Sequence, residues 1–264
     1  MNKYSLYASQ SLTQNSSGGQ LLKWWVGDNL VKTPSYNSFG RMWLFDAISE
    51  VIISKLCEDI GIIKFVKYNL CEIEITDRFE RVIGCECKNF ESKDKQFLSI
   101  ASITERQGNI VGYNISDISA FKYVENILNK MCGDAGVKLL HQMICLDWID
   151  LNIDRHCGNF GILHNGTTEV APVFDNGASL FSIYDVREFE YTNELAKTLK
   201  AKPFSFNFDR QLQFVDKGII RDIAGKDISN TIKYISKCEH ILGNHRTKFV
   251  KDMLIQRMEL LNTL

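Results

Sequence analysis

Three chemistry-bearing residues sit around one short hairpin pattern, and that placement limits what this chain can fold into. Asp154 opens the run Asp154-Arg155-His156-Cys157-Gly158-Asn159, and Asp175 closes Ala171-Pro172-Val173-Phe174-Asp175 before Asn176-Gly177. Between them, Phe160-Gly161-Ile162-Leu163 reads as an outgoing strand. His164-Asn165-Gly166-Thr167 supplies an Asn-Gly turn, and Glu169 to Phe174 returns, its apolar end from Val170 matching a buried strand. A tight loop then holds Asp154 and the Asn159 amide at its two ends, and the hairpin brings Asp175 back beside Asn159. Asp, Asn and Gly are also ordinary turn residues. Their joint spacing around a hairpin is what singles them out.

This set suits phosphoryl transfer. That reaction asks for a carboxylate near the attacking hydroxyl and oxygen ligands that hold Mg²⁺ on the phosphates. An Asp followed five positions later by a metal-binding Asn, with a second Asp on a later strand end, is the order used by protein kinases. The spacing predicts Asp154 as catalytic base and Asn159 and Asp175 as Mg²⁺ ligands, with ATP as phosphoryl donor. Asp147 and Asp150, on the helix before the loop, are left with three roles: capping, pairing with Arg155, or facing solvent. His156 is expected to support the loop rather than to move protons.

The flanking pattern has two characters. Gln20 to Val26 and Asn29 to Thr33 read as strands around a Gly27-Asp28 turn, Trp43 to Asp59 as a helix ended by Gly61, and Ile62 to Ile75 and Arg81 to Cys87 as strands. After about residue 90 the chain turns helical. Ser116 is placed to cap a helix over 117–131, a second runs over 137–151 into Asp154, and further helices are expected over 226–242 and 245–263. An α+β, two-lobed chain follows: a small β-rich lobe over 1–88 and a larger helical lobe over 89–264, with the site in the cleft between them.

In the small lobe, Ser16-Ser17-Gly18-Gly19 is a candidate phosphate-binding loop, because glycines and serines let backbone N–H groups approach anions. Lys32 ends the second strand and is read as the lysine on the α- and β-phosphates, with Glu50 of the following helix as its partner. Lys23 is the competing lysine. The backbone of Cys85-Glu86-Cys87-Lys88-Asn89, at the passage between lobes, is assigned by chain order to the adenine edge, with Glu86 and Cys87 as nucleotide-binding residues.

These motifs, with Leu30-Val31-Lys32-Thr33-Pro34 and Ser49-Glu50-Val51, resemble the HipA-like serine/threonine kinases. The resemblance runs thinly over residues 15 to 180. It implies a protein-kinase-like two-lobed fold, Mg²⁺- and ATP-dependent transfer to serine or threonine of a protein substrate, and autophosphorylation near Ser16 and Ser17. An extra N-terminal subdomain of the larger HipA toxins has no room here, which leaves an antitoxin-like inhibitor unassigned. A small-molecule or lipid kinase shares the Asp-Arg-His-x-x-Asn order, and a nucleotide-binding pseudokinase acting through partners is the non-enzymatic alternative.

Composition narrows the rest. A net charge of −1 over 264 residues supplies no polycationic face for nucleic acid, so no nucleic-acid partner is expected. The polar start, Met1 to Gln20, is no secretory signal, and no apolar run approaches a membrane span. Eight scattered cysteines without a CxxC pair read as reduced thiols, and the expected location is cytoplasmic. Cys238, His240 and His245 have no zinc-site spacing.

Overall fold

The computed structural model describes residues 1–12, 14–16, 19–37, 42–91, 95–106 and 117–264, with backbone only for 14–16 and 19–20. Its strands and helices in chain order are β1 Asn2–Leu6, β2 Gln14–Ser16, β3 Gly19–Leu21, β4 Lys23–Val26, β5 Asn29–Lys32, β6 Tyr36–Asn37, β7 Met42–Trp43 and α1 Asp46–Ile60. Then come β8 Tyr68–Ile75, β9 Glu80–Lys88, β10 Gln96–Ser99, α2 Ile100–Arg106, α3 Asp117–Asp150, β11 Gly161–His164 and β12 Thr168–Val170. The chain finishes with α4 Asn193–Lys197, α5 Phe208–Leu212, α6 Lys217–Ala224, α7 Ser229–Lys237, α8 Glu239–Leu242 and α9 Asn244–Leu261.

The fold is α+β, a β-rich N-terminal part against a helical C-terminal part. A five-stranded sheet has the order β1-β8-β9-β5-β4, and a smaller one the order β2-β3-β6-β7. β1 lies parallel to β8, a strand within the polar N-terminal segment that the composition did not announce. The hairpin after the Asp154–Asn159 loop, β11 and β12, gains β10 as a third strand. Gly161 is required there, because a Cβ at that position would come within 2.1 Å of the Leu98 carbonyl oxygen across the β10 pairing.

The apolar pattern explains how α1 sits. Ala47 and Val51 pack on Tyr68, Cys85 and Cys87 of the sheet. Ile48, Ile52, Ile53, Leu56 and Ile60 join the main helical core. A helix apolar nearly all round must be covered on more than one side, and α1 is held between the sheet and the helices. Gly61, at φ 75°, takes the left-handed position that ends it.

The long α3 contains a break. Gly133 has φ 62° and ψ −154°, so 117–150 is two helices meeting at one residue, close to the two helices the periodicity predicts. The predicted cap Ser116 lies outside the described residues. Gly243, at φ 76°, separates α8 from α9 between the two expected C-terminal helices, and the departure is that the helix expected over 226–242 is two, α7 and α8, parted at Cys238. The eight cysteines form no disulfide. Among the described residues, no helix is long and apolar enough to cross a membrane.

Candidate active site

Strand alternation aims the lysine. Val31 belongs to the outer cluster with Leu22 and Ile73, whereas Leu30, one residue earlier, packs on the α1 side. With a period of two, Lys32 shares the face of Leu30 and points at α1. On α1, Glu50 lies between Ala47 and Val51 on the sheet-facing stripe. The two side chains meet at 2.9 Å between Lys32 Nζ and Glu50 Oε1, with the lysine 8% and the glutamate 2% exposed. Lys32 also reaches the Tyr68 hydroxyl and Asp175 Oδ1, each at 3.5 Å. Burial alone pushes the Lys32 ammonium down, but Glu50 overcomes this, with Tyr68 and Asp175 adding, and holds it well above the ordinary lysine value.

The loop from Asp154 to Asn159 hangs on Arg155, which is fully buried. Its Nε donates to both Asp147 oxygens at 3.2 and 3.1 Å, and its Nη2 donates to Asp147 Oδ1 at 3.0 Å. Nη1 donates to the Phe174 carbonyl at 2.5 Å and Nη2 to the Asn176 side chain. Of the three roles open to Asp147, pairing with Arg155 is the one found. One guanidinium therefore ties the end of α3 to both sides of Asp175. Asp150 is also buried; its Oδ1 accepts the Asn152 N–H at 2.9 Å and its Oδ2 has no partner.

Asn159 donates from Nδ2 to the Asp154 carbonyl at 3.1 Å, which leaves the amide oxygen at its other end. Asp175 has φ 59°, a left-handed conformation that Asp tolerates better than most residues and that often marks a functional position. Burial raises the Asp175 carboxyl, and the Lys32 and Arg155 cations outweigh that and bring it below its ordinary value. His156 is exposed, and its Nδ1 accepts the Gly158 N–H at 3.1 Å, a contact internal to the loop.

A cavity of about 660 Å³ lies between the sheet and the helical part, and its lining includes Lys32, Glu50, Asp154, Asn159 and Asp175 together. That is ample for a nucleotide-sized ligand. Lys23 also lines it, directly opposite Lys32 on the neighbouring strand. Burial first, and the charge of Lys32 second, lower the Lys23 ammonium. The residues that line the cavity near the loop include the carboxylates Asp154 and Asp175 and the side-chain amide of Asn159. Mg²⁺ takes hard oxygen ligands and keeps room for phosphates and water, so these residues fit it. No cluster of three His, Cys, Asp or Glu side chains placed to hold a metal occurs among the described residues.

Other predicted residues are placed differently. Ser16 and Gly19 are partners in the antiparallel pairing of β2 with β3, and Ser17 and Gly18 fall outside the described residues. β9 runs between β8 and β5, with Glu86 opposite Asn69 and Val31 and Cys87 opposite Tyr68 and Leu30, so both are inside the sheet. The Glu86 carboxylate accepts from Asn2 Nδ2 at 2.7 Å and from the Tyr4 hydroxyl, on the face away from α1. Cys85 is the residue of that stretch that lines the cavity.

Two contributors escaped the sequence reading. The Asn176 N–H donates to Glu50 Oε2 at 2.8 Å, and the Lys202 ammonium sits 2.7 Å from Asp154 Oδ1. The Asp-Asn-Gly tripeptide pointed toward the first; nothing local marks Lys202.

Comparison with solved structures decides the architecture. A crystal structure of the Helicobacter pylori proinflammatory kinase CtkA matches over 96% of this chain and 95% of its own, with a TM-score of 0.70 at 17% identity. The chain has the HipA-like kinase fold. HipA of Shewanella oneidensis MR-1, from a toxin–antitoxin complex with HipB and operator DNA, matches with a TM-score of 0.54 at 15% identity, over 97% of this chain and 68% of its own. No family model and no curated protein matches the chain. The two-lobed, HipA-like architecture that the motifs implied is the one found.

Proposed function

We propose that the protein is an ATP- and Mg²⁺-dependent phosphotransferase, and specifically a protein serine/threonine kinase. The observation that carries this reading is the joint presence of the Lys32–Glu50 pair, Asp175, Asn159 and Asp154 on one cavity. In kinases the lysine–glutamate pair and the metal-binding aspartate must be in place together. Here Glu50 holds Lys32 with one oxygen and the backbone beside Asp175 with the other.

In this reading Lys32 engages the α- and β-phosphates, and Lys23 adds a second cation on the same wall. Asn159 and Asp175 hold Mg²⁺, which neutralises and orients the phosphates. Asp154, with a half-exposed carboxylate, faces the acceptor hydroxyl and takes its proton. Ser and Thr specificity, and a protein as acceptor, rest on the likeness to the HipA-like kinases. A pseudokinase would have no physical need for base, metal ligands and lysine at once. The HipB and DNA of the HipA complex belong to that protein.

The test is transfer of radiolabel from ATP to a generic protein acceptor, or to the protein itself, with and without Mg²⁺. Mg²⁺-dependent labelling on serine or threonine supports the reading. Nucleotide binding without transfer to any acceptor contradicts it.

A further inference from the structure

The loop before α5 holds Lys202 in a built position. The buried Gln211 accepts the N–H groups of Phe204 and Ser205 at 2.9 and 3.2 Å, and donates to the Lys202 carbonyl at 2.9 Å. Ala201 and Phe204 are buried on either side, and the Ala201 N–H bonds the Phe206 carbonyl at 3.1 Å. The backbone is thus fixed before and after Lys202, while its side chain stays 44% exposed and lines the cavity.

Stability does not account for this arrangement. The Asp154–Lys202 pair joins two half-exposed side chains, and such solvent-screened pairs contribute little to stability. Position does account for it. The other lysines on the cavity, Lys23 and Lys32, lie side by side on β4 and β5. Lys32, held by Glu50 and Asp175, is the lysine assigned to the α- and β-phosphates, and Arg155 is buried in its bonds to Asp147, Phe174 and Asn176. Lys202 is the cation at the opposite, acceptor-facing wall.

We infer that Lys202 is a further catalytic residue, whose ammonium bridges Asp154 and the phosphoryl group in flight. The inference rests on the kinase reading above. In the step, the acceptor oxygen forms its bond to the γ-phosphorus and gives its proton to Asp154. The bond from that phosphorus to the β,γ-bridging oxygen breaks, and its electron pair leaves with ADP. Lys202 keeps its protons. An ammonium carries three donors, so one can remain on Asp154 while others meet the equatorial oxygens, where charge accumulates. Gln211 is a positioning residue that acts through the backbone.

Lys202→Met and Lys202→Arg test this, since a half-exposed side chain can be changed without unfolding the protein. ADP with MgCl₂, and the same with aluminium fluoride as a mimic of the transferring group, are the probes. The methionine variant should bind ADP within about twofold of the parent, yet lose about 10²-fold in affinity for the aluminium fluoride complex and in kcat, because one donor to a developing charge contributes on that order. Its KM for ATP should be little changed, and the arginine variant should recover part of both losses. Undiminished aluminium fluoride binding by Lys202→Met overturns the inference even if kcat falls, since a residue that only steadies Asp154 gives that result. If the parent protein binds no ADP, the kinase reading itself fails and takes this inference with it.

Discussion

Glu50 Oε2 accepts the backbone N–H of Asn176 at 2.8 Å, while Oε1 of the same carboxylate takes the Lys32 ammonium at 2.9 Å. One side chain therefore joins the β-sheet to the loop that carries Asp175. Ser49 adds a second tie from α1 to that loop, its one hydroxyl proton shared between the Asn176 and Ser179 carbonyls, each 3.2 Å away. At the far end of α1, Asp59 accepts from the Thr231 N–H at 2.8 Å and from the Thr231 hydroxyl at 2.7 Å. α1 is bonded to the C-terminal half at both ends, so the lysine–glutamate pair does not depend on the helix swinging in.

The buried pair should show an asymmetry between single and double substitution. Lys32→Met leaves Glu50 as a buried charge without its main partner and should cost about 3 kcal/mol in urea unfolding. Lys32→Met combined with Glu50→Met should recover much of that, because replacing both partners by apolar groups removes the stranded charge. Neither variant should regain ATP binding. A double variant no more stable than the single one would show that Glu50 is held chiefly by Asn176.

Asp175→Ala should weaken ATP binding in Mg²⁺ and remove most transfer, while ADP binding in EDTA changes little. Isothermal titration at several Mg²⁺ concentrations reads this directly. The same Mg²⁺ dependence in parent and variant would remove Asp175 from the metal site.

Asp150 gives a pH prediction. Burial first, and the charge of Asp147 second, push its carboxyl well above the ordinary Asp range, against Arg155. The folded state then keeps a proton that the unfolded state releases. The stability from that proton is fully present below the ordinary Asp pKa and is lost as pH rises through the folded value. Asp150→Asn cannot titrate, so in urea midpoints measured across pH it should gain on the parent as pH rises. A constant difference between the two would contradict the shift.

Much of this was legible because periodicity and spacing are local. The 3.6-residue apolar pattern of α1 and the strand before Lys32 are properties of contiguous residues, and so is the Asp154–Asn159 interval. The Lys32–Glu50 partnership followed from chain order and is found as a contact. What stayed hidden depends on residues far apart in sequence. β1 is polar and alternates weakly, and it becomes a strand by pairing with β8. Glu86 was assigned by its order in the chain, whereas the side of β9 it faces is set by register against β5 and β8. Lys202 reaches Asp154 from 48 positions away, through a loop shaped by Gln211, and no local motif announces that.

Asp154 as the base of the proposed phosphoryl transfer is checked by comparing Asp154→Asn with the parent protein for label transfer from ATP, alongside ATP affinity measured by titration. Transfer should fall by about 10²–10⁴-fold, the span usual for a positioned general base, with ATP affinity within about twofold of the parent. Transfer at near the parent rate by Asp154→Asn would contradict it.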